Sequence, residues 1–408
     1  MQRQTAPQAP RRARAARTAL LATLLWMALA MLGATCGLAQ EASRQAGAPY
    51  PPVLPGHVLE FPRDFGAHPA FRTEWWYITG WLRDEAGHER GFQLTFFRVR
   101  TRIGEDNPSR FAPRQLILAH AAIADPRDGR LRHAERSARA YPGLAGAAEG
   151  RTAVEVDGWF LQGGDSIAAP YRSAIRADDF AFELEFTPPG APVLNGRAGF
   201  SQKAPDALNS SYYYSRPQLA VRGRLEIDDR SHAVQGSAWL DHEWSSEILP
   251  QDASGWDWMG INLHDGGSLM LFQMRDHGGK ALWAAGTLVD GKGGRRVFAP
   301  EAVRFSAQQH WRSPRTGKDY PVRWRVRLRD ETGKARELEV RALMDDQELD
   351  SSASTGAVYW EGAVRLFELD AQGEAEGEGE GEGEGKVAER EIGRGYLEMT
   401  GYGERLNM

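Results

Sequence analysis

Apolar and polar residues alternate with period two along most of this chain, and that alternation dictates extended strands. Val322 to Arg329 runs Val-Arg-Trp-Arg-Val-Arg-Leu-Arg, which puts arginines on one face and apolar side chains on the other. Phe180 to Phe186, Val221 to Ile227 and Leu338 to Ala342 repeat the theme. Successive side chains of an extended chain point to opposite faces, so each segment buries one side and wets the other. Turn formers bound these runs, among them Asp228-Asp229, Asp265-Gly266-Gly267 and Asp290-Gly291. No stretch of helical length carries an apolar stripe. Short strands without intervening helices build sandwiches or barrels, not a parallel α/β sheet. An all-β fold is expected.

The start of the chain reads differently. Arg3, Arg11, Arg12, Arg14 and Arg17 precede an apolar run from Ala19 to Ala34 without an acid among them, and Gly37-Leu38-Ala39 suits a signal peptidase. Residues 1–39 therefore read as a signal peptide, and the protein is expected to be exported to the periplasm. Cleavage after Ala39 is expected over lipoprotein anchoring at Cys36, since Thr35 fits a lipobox badly. The run is too short and too one-sidedly flanked for a membrane span. Cys36 is the sole cysteine, so the mature chain must be stabilised by core burial and not by disulfides. Loss of the leader arginines makes the formal charge of −5 more negative, and an acidic tract alternates with small residues from Glu374 to Glu384. The remaining body is nearly balanced and carries no basic stripe, so no nucleic acid partner is expected.

Residues 40–56 read as an extended linker. The connector Pro250 to Gly255 suggests an N-terminal domain over 57–247 and a C-terminal domain over 248–408. Within the latter, the Gly-Glu repeat at 374–385 is expected to be a disordered loop. Its flanks, Trp360 to Leu369 and Arg390 to Tyr402, read as the strands of one hairpin.

Between Ser237 and Gly260 the chain gathers Trp239, Asp241, His242, Glu243, Trp244, Trp256, Asp257 and Trp258. A buried indole wants a partner for its N–H, and a buried carboxyl needs hydrogen bonds or a proton. Such a mixture either knits a core or lines a pocket where a carboxyl meets an apolar ligand. Alternation puts Trp239, Asp241 and Glu243 on one face and Leu240, His242 and Trp244 on the other. Likewise Trp256 and Trp258 oppose Asp257 and Met259, and Glu74, Trp76 and Ile78 oppose Trp75, Tyr77 and Thr79. Other chemistries find little support. Gly266-Gly-Ser268-Leu-Met270 lacks the last glycine of a nucleophile elbow, the histidines lack metal-ligand spacing, and no glycine loop cradles phosphate. No metal and no cofactor are expected. A Ser/His/Asp triad assembled from distant residues stays open.

Five blocks carry a family resemblance: His68 to Gly80 (His-Pro-Ala-Phe-Arg-Thr-Glu-Trp-Trp-Tyr-Ile-Thr-Gly), Ser211 to Pro217, Trp239 to Ser245, Gly255 to Trp258, and Tyr396 to Tyr402. In these the chain resembles the AttH/CrtC-type lipocalin-like family, which includes secreted "predicted hydrolases", carotenoid hydratases and fungal decalin-forming Diels–Alderases. The resemblance implies two tandem lipocalin-like β-barrel or sandwich domains with an apolar pocket in or between them. It implies an elongated hydrophobic small molecule as ligand (polyene, isoprenoid or lipid-like) and, on the hydratase model, a lyase working by acid-assisted alkene chemistry.

On that model Asp241 supplies the proton, with Glu243 or Glu74 as its competitor, and His242 or a tyrosine hydroxyl places water. Trp76, Trp239, Trp256 and Trp258 would steady the cation, by roughly 0.5–2 kcal/mol per ring. Tyr77, Tyr213, Trp244 and Glu74 complete the expected ligand-binding set. A structural reading stands beside this one. Glu74 would pair with Arg72 or Arg216 at a barrel end, Asp241 to Glu243 would satisfy indole N–H groups, and Tyr212 to Pro217 would be a proline-terminated edge strand. Two rival functions follow: a carrier serving envelope ABC-transporter components, as the family's associations imply, or a hydrolase.

Overall fold

The computed structural model describes residues 49–369 and 389–403; the expected leader, Cys36 and the 374–385 repeat lie outside the described residues. The described chain is almost wholly antiparallel strand, and its helical elements are two short 3₁₀ turns, Arg63–Phe65 and Pro300–Ala302. Strands from Thr73–Asp84 to Arg230–Glu247 form one sheet, and strands from Ala253–Leu263 to Glu389–Met399 form a second. Both sheets belong to the compact unit of Tyr50–Thr101 with Pro113 onward. The segment Arg102–Ala112 clusters apart and contains turns but no strand.

The first sheet is a meander whose opening strand, Thr73–Asp84, lies between Glu89–Arg100 and the closing strand Arg230–Glu247. Its two ends approach each other, Gln115–Ala124 and Leu131–Arg139 from one side against Ala145–Ala147 and Thr152–Val156 from the other, so the sheet curls into a nearly closed barrel. In the second sheet, Ala253–Leu263 pairs with Ser268–Asp276 on one side and Glu389–Met399 on the other. Ala357–Leu369 pairs with Glu389–Met399 across the repeat. The fold is all-β, with two tandem lipocalin-like barrel or sandwich sheets.

Alternation explains how the layers pack. Trp76, Ile78, Leu240 and Trp244 enter a core inside the first sheet, together with Phe92, Leu94 and Phe96. Met259, Ile261, Leu271, Val340 and Leu397 fill the second. The opposite faces of the same strands meet in a third core of Tyr77, Trp81, Tyr213, Trp239, Trp258, Phe272 and Tyr396. Strands at this seam are therefore buried on both sides. Glycines allow the approach: a Cβ on Gly91 would stand 2.6 Å from Ala363 Cβ and from Tyr396 Oη.

The Tyr212 to Pro217 block is not an edge strand. It lies inside Ser210–Ile227, an 18-residue strand, and there pairs with Arg230–Glu247 on one side and with the short strands Val193–Leu194 and Phe200–Gln202 on the other. Pro217 is tolerated because the register slips between Arg216 and Leu219, a bulge at which no ladder hydrogen bond is demanded of it.

Candidate functional site

A cavity of about 290 Å³ opens in the third core, between the two sheets. Trp75, Phe97, Leu118, Trp256, Trp258, Phe272 and Met274 make much of its wall apolar. Into that wall project Asp241 and Glu243 from the first sheet, Glu361 and Glu398 from the second, and Lys203.

Asp241 is only 3% exposed. Its strand register puts Ser215 directly opposite and Tyr213 diagonally beside it. Ser215 Oγ donates to Oδ1 at 2.5 Å, Trp239 Nε1 to the same oxygen at 2.7 Å, and Tyr213 Oη to Oδ2 at 2.6 Å. A second layer orients these donors: Trp258 Nε1 donates to Tyr213 Oη at 3.0 Å and Asn195 Nδ2 to Ser215 Oγ at 2.7 Å. Burial disfavours the charged form and outweighs all three donors, and the negative Glu243 adds to it, so the carboxyl is pushed up to about 7. Glu243 is held differently. Lys203 Nζ lies 2.7 Å from its Oε1, and the Ser211 hydroxyl donates to it. The Lys203 ammonium in turn sits 4.6 Å and 5.0 Å from the ring centres of Tyr213 and Phe272.

Across the seam, Glu361 and Glu398 are direct cross-strand partners. The Tyr77 hydroxyl donates to Glu361. Burial and the neighbouring Glu398 raise Glu361 well above the usual carboxylate range. Burial, then the negative Glu243, raise Glu398 to about 8, against a hydrogen bond from Trp256. Elsewhere in the lining, His120 Nδ1 is 2.8 Å from Tyr359 Oη and Nε2 is 2.9 Å from Ser354 Oγ. Burial holds that imidazole down to about 3.

Of the residues expected from sequence, Asp241, Glu243, Tyr77, Trp256 and Trp258 line this cavity. Trp239 and Tyr213 stand just behind, bonded to Asp241. Glu74, Trp76, His242 and Trp244 point the other way, into or beside the first core, because they occupy the opposite parity on their strands. His242 therefore cannot place water in this cavity; the histidine that lines it is His120. Glu361, Glu398, Lys203 and His120 were not anticipated. The signal for the two glutamates was present, since each interrupts an apolar strand (Trp360-Glu361-Gly362, Leu397-Glu398-Met399) as Asp241 does.

The opposite-face cluster is a self-contained network. Glu74 receives Arg98 Nε at 2.7 Å, His242 Nε2 lies 2.9 Å from it, and His68 Nδ1 lies 2.7 Å from it. Its buried partner is thus Arg98, not Arg72 or Arg216; Arg216 donates instead to Tyr171 Oη. Ligand atoms of His68, Glu74 and His242 lie within 4.8 Å of one another, a spacing a metal would accept. Arg98 already neutralises the carboxylate such a metal would need, and His242 Nδ1 is engaged with Tyr214 Oη at 3.0 Å.

The AttH-like family model matches residues 52–402. An AttH crystal structure from Nitrosomonas europaea shares 43% identity with a TM-score of 0.75, covering 86% of this chain and all 100% of that one. Kievitone hydratase from Nectria haematococca superposes with a TM-score of 0.60 at 13% identity, over 86% of this chain and 96% of its own. CghA bound to Sch210972 gives 0.50 at 14% identity, over 88% and 96%. These last two likenesses concern the fold. A search of curated proteins finds no match.

Proposed function

This chain belongs to the AttH-like family, and we propose that its inter-sheet cavity takes an elongated hydrophobic molecule (polyene, isoprenoid or lipid-like) and performs acid-assisted addition to a double bond, with water as the model addend. One observation carries the reading: Asp241, poised at about 7, sits in the wall of an indole-lined hollow. Near neutral pH an acid of that strength is divided between donor and acceptor forms, the condition general acid–base catalysis favours. Asp241 gives its proton to one alkene carbon, whose π pair becomes the new C–H bond. The cation on the adjacent carbon faces the rings of Trp75, Trp256 and Trp258. Water adds there and returns a proton to the carboxylate, so one water is consumed and Asp241 is restored.

Kievitone hydratase shares the fold and a hydratase's name, but the proposal rests on the cavity. A hydrolytic reading would use Ser354 and His120, which do meet. An imidazole held near 3 is a weak base, and the Ser354 hydroxyl is bound to Glu135, so acid chemistry is preferred. We further propose export to the periplasm, on the leader pattern of residues 1–39, with an envelope transporter as the candidate partner.

Mass spectrometry of an organic extract of the purified protein should identify a bound hydrophobic molecule. Incubating that molecule with the enzyme in water enriched in heavy oxygen should yield product bearing one labelled oxygen. Asp241→Asn should slow this by about a hundredfold or more. Undiminished turnover in the variant would remove Asp241 as the acid. Ligand recovered unchanged at full occupancy would make the protein a carrier.

A further inference from the structure

We propose that Glu361 and Glu398 act as a second acid of the cavity, a carboxyl pair that holds one proton between its members and offers it to the bound ligand from the second sheet. The inference rests on the function proposed above and extends it to a further pair of residues. Register makes the two glutamates direct neighbours on Ala357–Leu369 and Glu389–Met399, and both line the cavity. Directly opposed cross-strand residues have Cβ atoms about 4.5–5.5 Å apart. Two carboxylates so close in an apolar wall do not both stay ionised at rest near neutral pH, so a pair that has given up its proton retakes one from solvent.

The surroundings supply little to offset such charge. Among the described residues neither glutamate forms an ion pair, whereas Lys203 is committed to Glu243 at 2.7 Å. Glu361 accepts from Tyr77 and Glu398 from Trp256, one donor each against the three that Asp241 receives. The nearby acids Asp241 and Glu243 add negative charge and so favour retention of the proton. Arg72, Tyr77, His120 and Tyr359 complete the titratable lining; burial keeps His120 neutral and, with the two glutamates, raises both phenols well above their ordinary range, so neither tyrosine brings charge.

With proton-exchanging groups on both sheets, the cavity can move a double bond as well as hydrate one. Glu398 gives its proton to an alkene carbon, and the π pair forms the C–H bond. The Asp241 carboxylate then takes a proton from a carbon beside the cation, and that C–H pair becomes the new double bond. Nothing is oxidised or consumed: the two carboxyls exchange protonation states, and solvent protons reset them. The product is an isomer of the substrate.

Infrared titration of the intact protein, following the carbonyl stretch of protonated carboxyl groups, tests the shared proton without any ligand. The wild type should keep such a signal at and above neutral pH, and Asp241→Asn should keep it too. Glu361→Gln should shift the remaining titration to lower pH, and Glu398→Gln should remove part of the signal. Loss of the signal in Asp241→Asn, or no change in either glutamine variant, overturns the pair. A second arm uses myrcene, a small branched triene hydrocarbon, in heavy water. Glu398→Gln should reduce deuterium uptake by about tenfold or more. Wild-type uptake in Glu398→Gln with loss in Asp241→Asn overturns the second acid and leaves the proposed function standing. A wild type that takes up no deuterium overturns the alkene chemistry of both.

Discussion

Asp241 keeps a proton at a pH where a surface aspartate has lost it, because burial costs its anion more than three hydrogen bonds return. That has a consequence for stability. The folded state binds this proton more tightly than the unfolded chain, so the associated stability is present below the usual aspartate range and is lost as pH rises through about 7. The loss is at most about 4 kcal/mol. Asp241→Asn should remove that part of the pH dependence, so urea unfolding at pH 4 and pH 8 should show a smaller fall in the variant than in the wild type. Parallel falls would mean that Asp241 titrates as if in solvent. Glu74 works with the opposite sign: His242, His68 and Arg98 overcome its burial and hold it well below the ordinary range. Its contribution is present above that range and disappears as pH drops.

At the scale of strands, the seam depends on close approach. A Cβ on Gly260 would stand 2.7 Å from the Trp258 ring and 2.8 Å from that of Trp239, the indole that bonds Asp241. Gly260→Ala should therefore cost about 1–3 kcal/mol by overpacking and shift tryptophan emission. Unchanged stability and emission would show that the rings have room to spare. Alternation along the strands was legible in the sequence, and it sorted Trp239, Asp241 and Glu243 away from His242 and Trp244 correctly. Which of those faces borders the cavity was not legible. Both faces of Thr73–Asp84 and Arg230–Glu247 carry aromatic rings, since one packs inside a sheet and the other against its partner. Parity alone therefore could not decide between Trp75 and Trp76 as cavity wall. The role of Pro217 was hidden for a related reason: a bulge is a property of two strands in register, not of one segment.

At the scale of the molecule, the all-β fold and the family were readable because they rest on local periodicity and on short blocks of sequence. The cavity was not, because it exists only where the packing of two separately hydrogen-bonded sheets brings their faces together. Glu361 and Glu398 reach Asp241's surroundings solely through that packing, as does the Tyr77 to Glu361 hydrogen bond. Enclosure between the sheets is what removes water from Asp241 and gives its proton chemical use. The most direct test is a carbon-13 NMR titration of the Asp241 side-chain carboxyl in the intact protein, with Asp241→Asn identifying the resonance. The account predicts a midpoint near pH 7. A midpoint in the ordinary aspartate range, near 3.8, would contradict it.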